Sequence, residues 1–145
     1  MKYYIFLFIG MLLVSCSNEP EPIVYGSDNC SYCTMTIVSK AHSAQMVTKK
    51  GKQIKYDAVE CMIQDNLQNY EASEIAVMLV ANYEKPGTML PVNEASFVID
   101  KKITSPMGAN LAAIKKDCNR EEYSEVYTWS ELKKHFLKED PQNLK

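Results

Sequence analysis

Three sulfur side chains fall within six residues of the stretch CSYCTMTIVS (30–39): Cys30, Cys33 and Met35. Two thiols and a thioether at this spacing could form a short disulfide, half of a zinc knuckle, a thiol–disulfide redox pair or a seat for a soft metal ion. The alternating, β-branched run TMTIV (34–38) predicts a strand. In a strand, residues two apart share a face at roughly 6.5–7 Å. Cys33 and Met35 would then face one side, with Cys30 one turn earlier. A methionine alone on such a strand is ordinary core filler, but two adjacent cysteines give it a second reading.

Further sulfur lies downstream. Cys61 falls in the first turn of a predicted helix, nearly opposite its apolar face, where the helix dipole favours a thiolate. Met62 is next to it and, by periodicity, belongs to the core. Met107 stands in Ser105-Pro106-Met107-Gly108, a turn that presents it rather than packing it. Cys118 reads as a structural or spare thiol. Zinc knuckles come in pairs, and only one Cys-x-x-Cys exists here. A thioredoxin-type pair should open a helix, whereas this one enters a predicted strand. A Cys30–Cys33 disulfide would close too small a loop to stabilise much. Soft thiolate and thioether donors, in a chain with only two histidines, His42 and His135, are what monovalent copper prefers. Ligand chemistry therefore favours copper(I). A structural or redox Cys-x-x-Cys and a zinc-stabilised interaction module are the competing readings.

The 145 residues carry 16 basic and 18 acidic side chains, so there is no basic footprint and no nucleic-acid partner is expected. The first residues hold one lysine, Lys2, and an apolar run, IFLFIGMLLV (5–14), too short to span a bilayer. Leu13-Val14-Ser15-Cys16 then matches a lipobox, which makes 1–15 a lipoprotein signal peptide and Cys16 the lipidated residue. Residues 16–27, rich in Pro, Glu and Ser, read as a flexible tether. This places the folded part outside the cytoplasm, on the surface of a bacterial membrane. No general base, nucleophile pair or phosphate loop is visible, so no enzyme is expected.

The elements that must position the sulfurs follow from pattern. Residues 44–48 (AQMVT) and 53–56 (QIKY) flank Lys49-Lys50-Gly51-Lys52 as a hairpin. Asp57, with Glu60 three residues on, reads as a capping box for a helix whose apolar face holds Val59, Met62, Ile63, Leu67 and Tyr70. IAVMLVA (75–81) is a buried strand and 84–93 a connector. Residues 95–99 and 103–104 predict strands around a turn at 100–102, 108–117 a helix, and 125–127 a strand. Thr128 and Glu131 form a second capping box, opening a helix through Leu137. The expected fold is α+β: two small tandem ββαβ-like units, 28–84 and 85–145, forming one compact extracytoplasmic domain.

The order Cys30-x-x-Cys33-x-Met35, then Tyr56-Asp57-x-x-x-Cys61-Met62 after a hairpin, then Pro106-Met107-Gly108 with Leu111-Ala112-Ala113, resembles the NosL family. The lipobox at Cys16 and the closing Thr128-Trp129-Ser130-Glu131-Leu132 match its layout as well. The resemblance implies two ββαβ units, binding of one copper(I), and delivery to an extracytoplasmic copper enzyme such as nitrous oxide reductase or its membrane assembly complex. It implies Cys33 and Met35 as ligands, with Met62 and Met107 as further sulfur donors and Cys61 alongside. One position departs: the family usually has glycine between the second cysteine and the methionine, where this chain has Thr34, a β-branched residue that disfavours positive φ.

Overall fold

Two alternating segments and a glycine start the first sheet. Strands β1 (Ala44–Thr48) and β2 (Gln53–Tyr56) pair antiparallel with Ala44 opposite Tyr56 and Met46 opposite Ile54. Gly51 at the turn takes φ 81°, which costs glycine little. The apolar run 75–81 becomes β3 (Ile75–Ala81) on the other edge of β1, and β4 (Met89–Pro91) adds outside it, giving the order β2-β1-β3-β4. All five residues of β1 are buried, as the sheet's central position requires. The structure is a computed structural model that describes residues 18–118 and 120–139. The predicted signal peptide and Cys16 lie outside the described residues.

A second antiparallel sheet, order β6-β5-β7, follows from β5 (Ala95–Ile99), β6 (Leu111–Lys115) and β7 (Glu125–Tyr127). Period-two alternation sorts its side chains. Ala95, Phe97, Leu111 and Ala113 enter the main core, whereas Val98, Ala112 and Ile114 join Ile103 in a smaller cluster. A parallel bridge between Asn82 and Ala113, with the Tyr83 amide donating to the Ala113 carbonyl at 2.8 Å, ties the two sheets together. Helix α1 (Val59–Asn69) packs against β1 and β2 and also against β6 and the C-terminal helix α2 (Trp129–Glu139). The main core therefore runs through both halves, from Met46, Tyr56 and Ile63 to Phe97, Leu132 and Phe136. Each large apolar side chain fully buried there contributes about 1.5–3 kcal/mol. The fold class is as expected: mixed α and β, two antiparallel sheets and two helices around one core.

The order inside the second half is not ββαβ. Residues 108–117, read as a helix, form strand β6, paired along its length with β5 from Ile99–Leu111 to Ala95–Lys115. Leu, Ala and Lys are good helix formers, but propensity is a weak prior that strand pairing overrides. Gly108 (φ 81°) and Asn110 (φ 55°) make the turn into the strand. Residues 103–104 form no strand, since the Ile103 amide closes a turn onto the Asp100 carbonyl.

In the first half, 34–38 is likewise no strand. Thr36 bridges back to Asn29, and the Cys30 and Ile37 amides donate to Met35 and Asp28 carbonyls at 2.8 and 2.9 Å. The segment thus closes a tight loop on the residues just before it, and only Ile37 is swallowed by the core. Asp57 does not cap α1. The cap residue is Ala58, without a side-chain bond, and the Asp57 carboxylate instead accepts the Val38 amide at 3.4 Å.

The described part of the predicted tether is also held. Gln53 and Gln45 donate to the carbonyls of Glu19 and Glu21, Lys55 donates to that of Pro22, and Ile23 and Tyr25 pack against the core. The capping box at Thr128 and Glu131 is present, with the Thr128 amide donating to Glu131 Oε2 at 2.8 Å and the Glu131 amide to Thr128 Oγ1 at 3.4 Å.

Candidate metal centre

The loop that carries Cys30 and Cys33 is stitched to the end of β2. The Ser31 amide donates to the Lys55 carbonyl at 2.8 Å, and Lys55 Nζ reaches Asp28 Oδ2 at 2.7 Å. That same Asp28 oxygen accepts the Val24 amide, and these contacts, the Lys55 bond first, hold its carboxyl below the ordinary range. Because β2 leads into α1 through only Asp57 and Ala58, fixing the loop on β2 sets it over the first turn of that helix. Cys61 stands in that turn. The result is a triad in which the Sγ atoms of Cys30, Cys33 and Cys61 all lie within 4.8 Å of one another. All three are free thiols.

Cys61 was expected on the exposed side of its helix. It is 1% exposed, because α1 is covered from two directions. Its second buried face is polar, with Glu60, Asp65 and Asn66 among the buried residues, so hydrophobic periodicity could not display it. Cys30 is buried too, while Cys33 is half-buried and is the most accessible of the three.

The electrostatics of the triad are uneven. The Cys61 thiol hydrogen-bonds to Cys30 and, with the backbone amides of Cys33, Asp57 and Tyr32, brings the Cys30 thiol down to about 5 despite its burial. Burial pushes Cys33 up, and the negative Cys30 adds to this. The bond that Cys61 gives to Cys30, followed by burial, raises Cys61 strongly. These influences favour ionisation of Cys30 ahead of Cys33 and Cys61. A soft cation would find Cys30 the readiest charged donor and would displace protons from the others.

The methionines divide. Met35 is 53% exposed at the end of the Cys30 loop, its carbonyl accepting the Cys30 amide. Met107 is 44% exposed on the turn before β6, and with Cys61 it lines a cavity of about 180 Å³. Met62 is fully buried in the main core. Cys118 packs at the second, smaller cluster and stands outside the triad. Thr34, between Cys33 and Met35, takes φ 65°, the left-handed conformation for which glycine is the natural residue. Its hydroxyl donates to the Cys33 carbonyl at 2.6 Å.

Sequence reasoning missed Glu60 and Gln64, which line the cavity beside Cys61. Glu60 is 4% exposed with neither carboxylate oxygen hydrogen-bonded, and Gln64 Oε1 is also buried without a partner. Burial raises the Glu60 carboxyl, against the lowering influence of the nearby Ser105 hydroxyl and Ala109 amide. The available signal was the i, i+4 spacing of two polar residues astride Cys61, which the capping-box reading of Glu60 concealed.

A search of curated proteins gives no match. The fold resembles the crystal structure of the copper chaperone NosL from Shewanella denitrificans, with a TM-score of 0.63 and 19% sequence identity over 77% of this chain and 93% of that one. A family model described as NosL matches residues 23–134, a span that holds all three triad cysteines as well as Met35, Met62 and Met107, and the chain belongs to the NosL family.

Proposed function

We propose that this protein is a carrier of copper(I), which binds one ion at the Cys30, Cys33 and Cys61 thiols and hands it to an acceptor. The observation that carries the reading is the mutual 4.8 Å limit on the three sulfurs. Metal–sulfur bonds run about 2.3 Å, so two sulfurs on one ion stand at most about 4.6 Å apart. Small side-chain rotations bring this triad onto a common centre. Sulfur-only donors, one of them the readily ionised Cys30 thiol, suit a soft monovalent ion better than a hard or borderline dication. Met35 and Met107 are exposed, which suits them to complete or exchange the coordination from the solvent side. The third thiol, Cys61, also distinguishes the site from a plain two-cysteine staple. Family membership and the fold shared with a protein named as a copper chaperone support the same reading.

Handover follows from exposure. Cys30 and Cys61 are buried and Cys33 is not, so an incoming ligand meets the ion on the Cys33–Met35 side. It displaces a thioether first and Cys33 next, while the two buried sulfurs release last. The acceptor is an extracytoplasmic copper enzyme such as nitrous oxide reductase, or its assembly complex. Lipidation at Cys16 holds the carrier on a bacterial membrane beside it. The test is copper(I) affinity in Cys33→Ser, Cys61→Ser and the double variant Cys33→Ser/Met35→Leu, with circular dichroism to verify folding. Each is expected to bind at least tenfold more weakly with its spectrum intact. Parental affinity in a folded Cys33→Ser variant would overturn the assignment.

A further inference from the structure

The cavity beside Cys61 is lined by a buried carboxylate and a buried amide oxygen that close no hydrogen bond within the protein. Its floor is the α1 face carrying Glu60 and Gln64, and its volume is about 180 Å³. Glu60 is 4% exposed, yet both its carboxylate oxygens lack a hydrogen-bond partner, as does Gln64 Oε1. The Ser105 hydroxyl and the Ala109 amide stand near the Glu60 carboxylate but neither closes a hydrogen bond on it. Buried acceptors left unmet are costly, so three at one place call for a further donor. The walls are of a different character. Phe136 from α2, Ala109 and the Met107 thioether are apolar, and Tyr32, 36% exposed, joins them from the Cys30–Cys33 loop.

We propose that this cavity seats the ammonium group of a lysine side chain presented by a docking protein. A lysine ammonium is a compact cation with three donors and no acceptor, carried on a flexible four-carbon stem. Three acceptor oxygens answer its three N–H groups, the Glu60 carboxylate answers its charge, and the Phe136 and Met107 walls cover the stem as apolar surface commonly covers lysine. Tyr32 and Phe136 add aromatic rings that suit a cation. A hard dication is a poorer occupant, since it demands six or more oxygens and this cavity offers one carboxylate and one amide. Because Cys61 lines the same cavity, a seated lysine would lie against the triad. The inference extends the handover reading by giving the acceptor a recognition element, but its test uses no metal, so each can fail alone.

The experiment is an NMR titration of the reduced, metal-free protein at neutral pH with n-butylammonium chloride as the lysine mimic and n-butanol as its neutral counterpart. Saturable shifts of the Met107 methyl and Phe136 ring signals are expected with butylammonium, at least tenfold weaker with butanol. In Glu60→Gln, which removes the charge at nearly constant volume, butylammonium binding should fall at least tenfold. Equal binding of butanol would reduce the cavity to an apolar hole. No saturable shift would mean that water alone serves the oxygens. Undiminished binding in Glu60→Gln would remove the carboxylate from the account. Should that variant not fold, the two probes on the parent protein still decide the matter.

Discussion

Replacing Thr34 with glycine should stabilise the protein, and the size of the gain follows from its backbone. Thr34 stands at φ 65°, where a residue with a Cβ pays about 1–2 kcal/mol, and β-branching puts it at the upper end of that range. Glycine relieves this but restores freedom to the unfolded chain, at a cost of about 0.5–1 kcal/mol. The substitution also loses the exposed hydroxyl bond to the Cys33 carbonyl, worth about 0.5 kcal/mol at such a site. The side chain is exposed, so little apolar contact is lost. The balance favours glycine by about 0.5–1 kcal/mol, a rise in Tm of about 3 °C for a domain of this size. Alanine sheds only the part of the strain that comes from β-branching and also loses the hydroxyl, so Thr34→Ala should lie within about 0.5 kcal/mol of the parent and below Thr34→Gly. The assay is urea unfolding under reducing conditions, followed by fluorescence of Trp129, the only tryptophan, which packs 5.4 Å from the Phe97 ring. The midpoint should move and the slope should not. A Thr34→Gly variant no more stable than Thr34→Ala would refute the claim that this loop is held under strain.

Two further outcomes follow from the buried polar groups. Tyr56 Oη donates to Asp65 Oδ2 at 2.5 Å in the core, and the other Asp65 oxygen accepts from Asn69 Nδ2 at 2.8 Å. Tyr56→Phe should therefore cost about 1–3 kcal/mol in the same urea assay, and a loss within the roughly 0.5 kcal/mol of a neutral surface change would contradict that bond. The Cys30 thiol, held down to about 5 by Cys61 and nearby amides, should appear as one thiolate transition near that pH in the ultraviolet spectrum of reduced, metal-free protein, absent in Cys30→Ser. Its folded value lies below its unfolded one, so its contribution to stability is complete above the unfolded range, about 8.5, and disappears as pH falls through about 5. Thiolate absorbance arising only at alkaline pH would refute the hydrogen-bonded triad.

Much of the framework was legible in the sequence because local chemistry and tertiary pairing agree there. The hairpin around Gly51, the apolar run 75–81, the strands 95–99 and 125–127 and the capped C-terminal helix all form where pattern placed them. Disagreement arose where pairing between segments overrides local propensity. Strand β6 carries helix-forming residues and is a strand because β5 pairs with it. The β-branched run at 34–38 finds its partners in residues 28–30 and curls into a loop instead of extending. The candidate site shows the same division. Cys30 and Cys33 are near in sequence, but that Cys61 completes a triad depends on a helix buried on a polar second face. Thr34 is instructive in a different way. A β-branched residue there argued against a left-handed turn, and the chain makes that turn regardless, held by the Thr34 amide's bond to the Cys30 carbonyl at 2.9 Å.

The measurement that bears most directly on the carrier reading is an anaerobic copper(I) titration of the reduced protein against a competing chromophoric chelator, in parallel with zinc. X-ray absorption at the copper edge would report the ligands. The account predicts one equivalent of copper(I), bound more tightly than zinc, with an all-sulfur first shell that loses sulfur in Cys61→Ser. Zinc binding tighter than copper(I), or a copper shell unchanged by removal of Cys61, would contradict it.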